Sequence, residues 1–208
     1  MAEARYRGEV VKLDRGYPLV RLEDGELLRC EHATALVKGE RRRAVIGDVV
    51  EVAVPPAHDK GVIEAIAPRA REFVRKDPTE RAVPQVLAAN FERVIVAQPV
   101  GEVNLRRLER ELVLAFETGA EVTVVLTKAD LADDAATRAT VEAVRALAAP
   151  AADVLVVSED DPASVEDVRA LLAPGTTTVL IGRSGVGKSS LVNMLVGAEV
   201  LSVGAVRE

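Results

Sequence analysis

Residues 182–190 read Gly182-Arg183-Ser184-Gly185-Val186-Gly187-Lys188-Ser189-Ser190. The spacing is G-x-x-x-x-G-K-[ST], a loop that cradles a phosphate chain. Its glycines let backbone N–H groups turn inward without a Cβ in the way. Lys188 would reach the outer phosphates, and the Ser189 hydroxyl would sit on Mg²⁺. These two are the candidate catalytic residues, and Ser189 is the candidate metal ligand. A second group lies upstream, Thr127-Lys128-Ala129-Asp130, directly after the apolar run 121–126. A carboxylate such as Asp130 accepts two hydrogen bonds at once. Guanine offers two adjacent donors, its ring N–H and its exocyclic amine, whereas adenine offers no such pair and would be mismatched. The stem of Lys128 can lie over the base face. Ser158, after the run 153–157, is placed to back the base.

These residues need elements to position them. Residues 176–181 read Thr-Thr-Thr-Val-Leu-Ile, a β-branched strand leading into the loop. Residues 190–196 carry helical apolar spacing and stop at Gly197. A helix N-terminus aimed at the loop adds its dipole to anion binding. The preceding stretch alternates strands with helices. Residues 93–97 form a buried-type strand. Asn104 caps a helix through residue 116, with Leu105, Leu108, Leu112 and Phe116 on one face and Gly119 as its stop. Residues 121–126 and 153–157 are further strands, with a helix over 134–147 between them. Ser164 caps a short helix, with Asp167 completing a weak capping box. This rhythm requires a parallel sheet with helices on both faces, and such sheets bind ligands at the C-terminal ends of their strands.

The N-terminal part has a different character. Five short strands, 6–13, 17–22, 26–30, 49–54 and 61–66, are broken by turns, with a longer connection after the third. That pattern fits a small Greek-key barrel of the OB type, an SH3-like barrel being the other candidate. The domain expectation is a barrel over 1–76, a linker over 77–90, polar and proline-bearing from 77 to 84, and an α/β nucleotide domain over 91–208. Net charge is −6 but uneven. Residues 1–76 hold 15 Lys and Arg against 13 Asp and Glu, while 77–208 hold 12 against 20. Any polyanion contact therefore belongs to the barrel. Lys38, Arg41, Arg42 and Arg43 in the long connection are the candidate RNA-binding residues. A second basic cluster, Arg69, Arg71, Arg75 and Lys76, follows the last strand and reads as a solvated tail or another phosphate contact. No aromatic residue flanks the first cluster, so contacts there would read backbone and shape.

Composition narrows the rest. Aromatics make up 2% of the chain, so the cores must be built from Val, Leu, Ala and Ile. The single cysteine, Cys30, excludes an internal disulfide and a multi-cysteine metal site on this chain, and reads as a small strand residue. His32 and His58 lack a ligand pattern and read as surface residues. No stretch approaches a membrane span and the N-terminus lacks a signal sequence, so the cytoplasm is the expected compartment.

The phosphate loop and Thr127–Asp130 together resemble the GTPase signature, in which the guanine motif is Asn-Lys-x-Asp. Here Thr127 replaces Asn, and its hydroxyl can still tie this loop to the phosphate loop. Asp130 precedes Gly182 by 52 residues, the reverse of the usual order. The chain therefore resembles a circularly permuted GTPase. With an N-terminal barrel, Ala88-Ala89-Asn90 before the sheet, and the run from Gly185 to Asn193, it is similar to the small-ribosomal-subunit biogenesis GTPase family. That resemblance implies GTP hydrolysis late in small-subunit maturation, GTP or GDP and Mg²⁺ as ligands, 16S rRNA and subunit proteins as partners, no membrane, and a monomer. It also implies zinc, held in a C-terminal Cys/His domain beyond Glu208. The switch threonine and Asp-x-x-Gly motif of the family are likewise expected beyond that point, leaving 176–181 with an unpaired edge and slow hydrolysis. Two other functions remain open: an ATP-dependent kinase or ATPase, and a non-catalytic RNA-binding module with a remnant nucleotide fold.

Overall fold

Alternating apolar and polar residues in the first third of the chain form five strands: β1 (Ala4–Asp14), β2 (Tyr17–Leu22), β3 (Leu27–His32), β4 (Val49–Val54) and β5 (Gly61–Ile66). The computed structural model describes residues 4–14, 16–39, 42–55, 59–75 and 85–201. The strands close into a barrel in the order β1-β2-β3-β5-β4. Every pairing is antiparallel except β3 with β5. This is the OB-type Greek-key closure. Val10, Val20, Cys30, Val50, Val52 and Ile63 fill the interior. Small aliphatic side chains suffice because a five-stranded barrel has a narrow lumen. Burial pushes the Cys30 thiol up to about 11, so it is an inert core residue at neutral pH.

His32 departs from its expected surface position. It is half-buried, and its Nε2 accepts the Ala44 N–H at 2.9 Å. Burial and the nearby Arg43 charge hold its pKa below the usual imidazole value. His58 lies outside the described residues, as do residues 76–84. On either side of that stretch, β6 (Glu72–Arg75) and β7 (Gln85–Ala89) pair antiparallel, so a strand occupies the end of the expected linker.

Two members of the second basic cluster, Arg69 and Arg71, make structural contacts, while Lys76 and the Arg75 side chain lie outside the described residues. Asp48 is fully buried, and Arg69 binds it with two nitrogens, Nε at 2.7 Å and Nη2 at 2.8 Å. The same guanidinium donates to the Arg43 carbonyl at 3.2 Å and to Glu72 at 3.1 Å. Arg71 donates to the Phe91 carbonyl at 3.4 Å. Asn90, at φ 52°, accepts the Ala70 N–H and donates to the Gly47 carbonyl. Phe91 is fully buried and meets Phe73 edge to face. All of these contacts lie within the first of two compact units, residues 1–91; the second is 92–208.

In the second unit, β8 (Arg93–Pro99), β9 (Glu121–Thr127), β10 (Asp153–Val156) and β11 (Thr178–Ile181) form a parallel sheet in the order β10-β9-β8-β11. The centres of β8 and β9 are buried runs, as expected for strands covered on both faces. The helices are α1 (Leu105–Phe116), α2 (Asp134–Ala148), α3 (Pro162–Arg169) and α4 (Lys188–Val196). The Asn104 side chain caps α1 by accepting the Arg107 N–H at 3.1 Å. Leu105 and Phe116 are exposed, against expectation, because the packed stripe is Leu108, Leu112 and Ala115. Ser164 does not cap α3. Asp161 does, accepting the Ala163 N–H at 3.1 Å, with Pro162 setting the first helical φ. Among the described residues, no helix is long and apolar enough to cross a membrane.

Candidate functional site

Strand β11 runs directly into Gly182, which has φ 143°. A Cβ there would stand 2.6 Å from the Ala97 carbonyl of β8, so only glycine lets the loop pass the strand end. Gly187, at φ 90°, turns the chain into α4. The loop it closes runs from Gly182 to Gly187 between β11 and α4. Lys188 is folded back into that loop, its Nζ donating to the carbonyls of Gly182 at 2.8 Å and Arg183 at 2.5 Å. Burial lowers the Lys188 pKa, and the charge of Glu111 opposes that shift. Arg183, Ser184 and Gly185 are exposed, Val186 is buried, and Ser189 and Ser190 are half-buried in the first turn of α4. Ser189 follows Lys188 directly, a position suited to Mg²⁺ bound jointly with phosphate oxygens. Among the described residues, no three His, Cys, Asp or Glu side chains gather to hold a metal.

Glu111 enters this region from α1. Its carboxylate accepts from Gln98 Nε2 at 2.6 Å and pairs with Arg107 at 3.5 Å. Burial is the largest influence on it and raises its pKa. Neither Gln98 nor Glu111 was signalled by the sequence. Gln98 sits in an apolar strand, and α1 showed only its apolar stripe.

The base-side residues come from two further loops. Thr127, the last residue of β9, is buried, and its hydroxyl donates to the Val186 carbonyl of the phosphate loop at 2.5 Å. Lys128 takes a left-handed conformation, φ 59°, and a 3-10 turn over Ala129–Leu131 follows. The Ala129 N–H donates to the Val157 carbonyl at 3.2 Å. Asp130 is exposed, and its Oδ1 accepts the Glu159 N–H at 3.2 Å. Ser158 uses its hydroxyl within its own turn, accepting the Asp160 N–H at 3.2 Å. Thr127–Asp130, Ser158 and the loop 182–190 thus converge at the C-terminal end of the sheet, where parallel sheets bind ligands.

Of the candidate RNA residues, Lys38, Arg42 and Arg43 are described. Lys38 is exposed in a π-helical turn, Ala35–Gly39. The Arg42 backbone N–H donates to the Leu36 carbonyl at 2.9 Å. Arg43 is exposed. Arg41 lies outside the described residues.

Comparison with known proteins agrees with this arrangement. Residues 66–208 match the family described as RsgA GTPase. The small ribosomal subunit biogenesis GTPase RsgA of Streptomyces avermitilis is 40% identical over 208 residues, all of this chain and 55% of that protein. Its counterpart from Streptomyces coelicolor is also 40% identical, over 56% of its own length. This chain therefore spans little more than half the length of these relatives. YjeQ from Thermotoga maritima matches with a TM-score of 0.73 and 27% identity, over 92% of this chain and 65% of that one. YloQ, described as a circularly permuted GTPase, shares the fold at a TM-score of 0.67 and 24% identity, over 91% of this chain and 64% of its own. The family match covers both the base-side loops and the phosphate loop, and the chain belongs to the RsgA GTPase family.

Proposed function

We propose that this protein binds guanine nucleotides at the C-terminal end of its parallel sheet and hydrolyses GTP to GDP and phosphate. Its setting is late maturation of the small ribosomal subunit in the cytoplasm, with the barrel on 16S rRNA. The observation that carries this reading is the hydrogen bond from the Thr127 hydroxyl to the Val186 carbonyl. It joins a base-selective loop and a phosphate loop in one site. On binding, Lys188 would exchange two loop carbonyls for phosphate oxygens and neutralise their charge. Backbone N–H groups of 182–189 and the N-terminus of α4 would hold the chain of phosphates. Asp130 would accept the paired donors of guanine. Ser189 would hold Mg²⁺, which supplies charge neutralisation at the β- and γ-phosphates.

Competition between GTP, GDP and ATP tests the reading. Guanine nucleotides should displace a labelled GDP, and ATP should fail at a hundredfold excess. Equal competition by ATP would instead favour the kinase or ATPase reading. For the barrel, replacing Arg41, Arg42 and Arg43 by Glu should weaken small-subunit binding and flatten its salt dependence, since each lost phosphate contact lowers the slope by roughly one. Unchanged binding across a salt titration would move the contact elsewhere.

A further inference from the structure

Ser164 is half-buried at the third residue of α3, where the sequence reads it as a cap. Its helix does not use it that way, because Asp161 supplies the cap. The Ser164 hydroxyl instead donates to the Asp161 carbonyl at 2.6 Å and accepts the Ser158 N–H at 3.1 Å. Around it, the Asp161 N–H donates to the Ser158 carbonyl at 3.3 Å, and the Asp160 N–H to the Ser158 hydroxyl at 3.2 Å. Ser164 is thus the link from α3 to the entry of the turn 158–161. One residue on, the Glu159 N–H points at Asp130 and donates to Oδ1.

That contact places an acceptor and a donor side by side. The edge of guanine carries two donors and one carbonyl acceptor. Asp130 suits the donors, and the Glu159 N–H suits the carbonyl; in the free protein each satisfies the other. For the base to displace this contact and use both partners, the turn must hold Glu159 in place once Asp130 lets go. The only side-chain tie from α3 to the turn's first backbone N–H among the described hydrogen bonds is Ser164.

We propose that Ser164 is a positioning residue for guanine recognition, holding the 158–161 turn so that the Glu159 N–H faces the base carbonyl. This rests on the guanine-site reading above. Removing the hydroxyl leaves the Ser158 N–H without its partner, so the turn is tied to α3 at its Asp161 end and loses the side-chain tie at its Ser158 end. The phosphate loop shares no hydrogen bond with Ser164, so the loss is confined to the base.

The test is equilibrium binding of GDP and of 6-thio-GDP, whose sulfur is a poor acceptor, to the full chain. Ser164→Ala should weaken GDP about tenfold, the cost of one well-placed hydrogen bond. It should weaken 6-thio-GDP, which has little carbonyl contact to lose, by less than about twofold, and leave the melting temperature of the free protein nearly unchanged. Ser164→Thr, which keeps the hydroxyl, should bind GDP as the unsubstituted protein does. Equal weakening of both nucleotides, or unchanged GDP affinity in Ser164→Ala, overturns the proposal while leaving the guanine site standing. Failure of the unsubstituted protein to bind GDP overturns both.

Discussion

Lys188 and Asp130 are both engaged in the free protein, but by partners at very different distances along the chain. Lys188 bonds carbonyls five and six residues away, inside its own loop. Asp130 bonds an N–H 29 residues away, and Thr127 a carbonyl 59 residues away. The phosphate half is therefore a local object, shaped by glycines at positive φ. The base half exists only because the sheet brings three segments to one edge. A local half should tolerate changes elsewhere and fail completely when its own residues change. A half assembled over distance should fail by degrees, one tie at a time.

Substitutions in the two halves separate these behaviours. The largest effect belongs to Lys188→Ala. Loss of the cation that folds back into the phosphate loop should cut GTP turnover by at least about a hundredfold, on the scale of removing a single charge-stabilising donor. The barrel should stay folded, as measured by circular dichroism. Near-normal turnover would rule out residues 182–190 as the phosphate site. Next in size is Asp130→Asn, which removes one acceptor and adds a donor. GDP affinity should fall by about a hundredfold, since bonds to a charged acceptor are among the stronger ones. Xanthosine diphosphate, which carries a carbonyl where guanine has its amine, should bind the variant better than the parent. Calorimetry with the two nucleotides measures both changes, and unaltered guanine affinity would detach Asp130 from the base.

The same contrast explains what the sequence made legible. The phosphate loop was readable because its nine residues contain their own geometry. The barrel strands at 17–22, 49–54 and 61–66 were readable to the residue because turn residues and β-branched runs marked their ends, with strict period-two burial only in the first. The β6–β7 pair was not, because its strands join across a polar stretch that resembles a linker, and pairing is a non-local property. Arg69 was misleading for a related reason. A run of arginines reads as a charged surface, and only the fold shows that Asp48, 21 residues earlier, waits in the interior for one of them. Ser164 was read as a cap from spacing alone, whereas the preceding Asp-Pro pair had the stronger claim to that position. Glu111 had no local signal at all.

Thr127 is the joint between the halves and should give an intermediate effect on both. Thr127→Val keeps the shape and removes the donor, leaving the buried Val186 carbonyl without its hydroxyl partner. Such a loss costs about 1–3 kcal/mol. Binding of GDP and of inorganic triphosphate, which probes the phosphate loop alone, should both weaken by about tenfold, and Thr127→Ser should restore both. Weakening of GDP alone would show that the bond serves only the base loop, and that the phosphate loop holds its shape unaided.

The smallest effect is expected at Glu111, and its sign is the informative part. Its carboxylate lies close enough to Lys188 to raise that group's pKa, against the larger lowering by burial. The same negative charge must repel incoming phosphates. Through-space repulsion at a partly solvated site is on the order of 1 kcal/mol or less after screening. Glu111→Gln removes the charge while keeping a side chain that can bond Gln98. Triphosphate and GDP should then bind about two- to fivefold tighter, with guanosine unaffected because it carries no phosphate. The gain should shrink as salt is added. Working in the other direction, loss of Glu111 lets the Lys188 pKa fall further, so the advantage should fade as pH rises towards that of the weakened ammonium. Tighter phosphate binding that fades with salt and with alkaline pH would mark Glu111 as a brake on the local half alone. Weaker binding at neutral pH would mean that its main effect is to hold Lys188 in a productive position, and the phosphate half would then depend on α1 as the base half depends on α3.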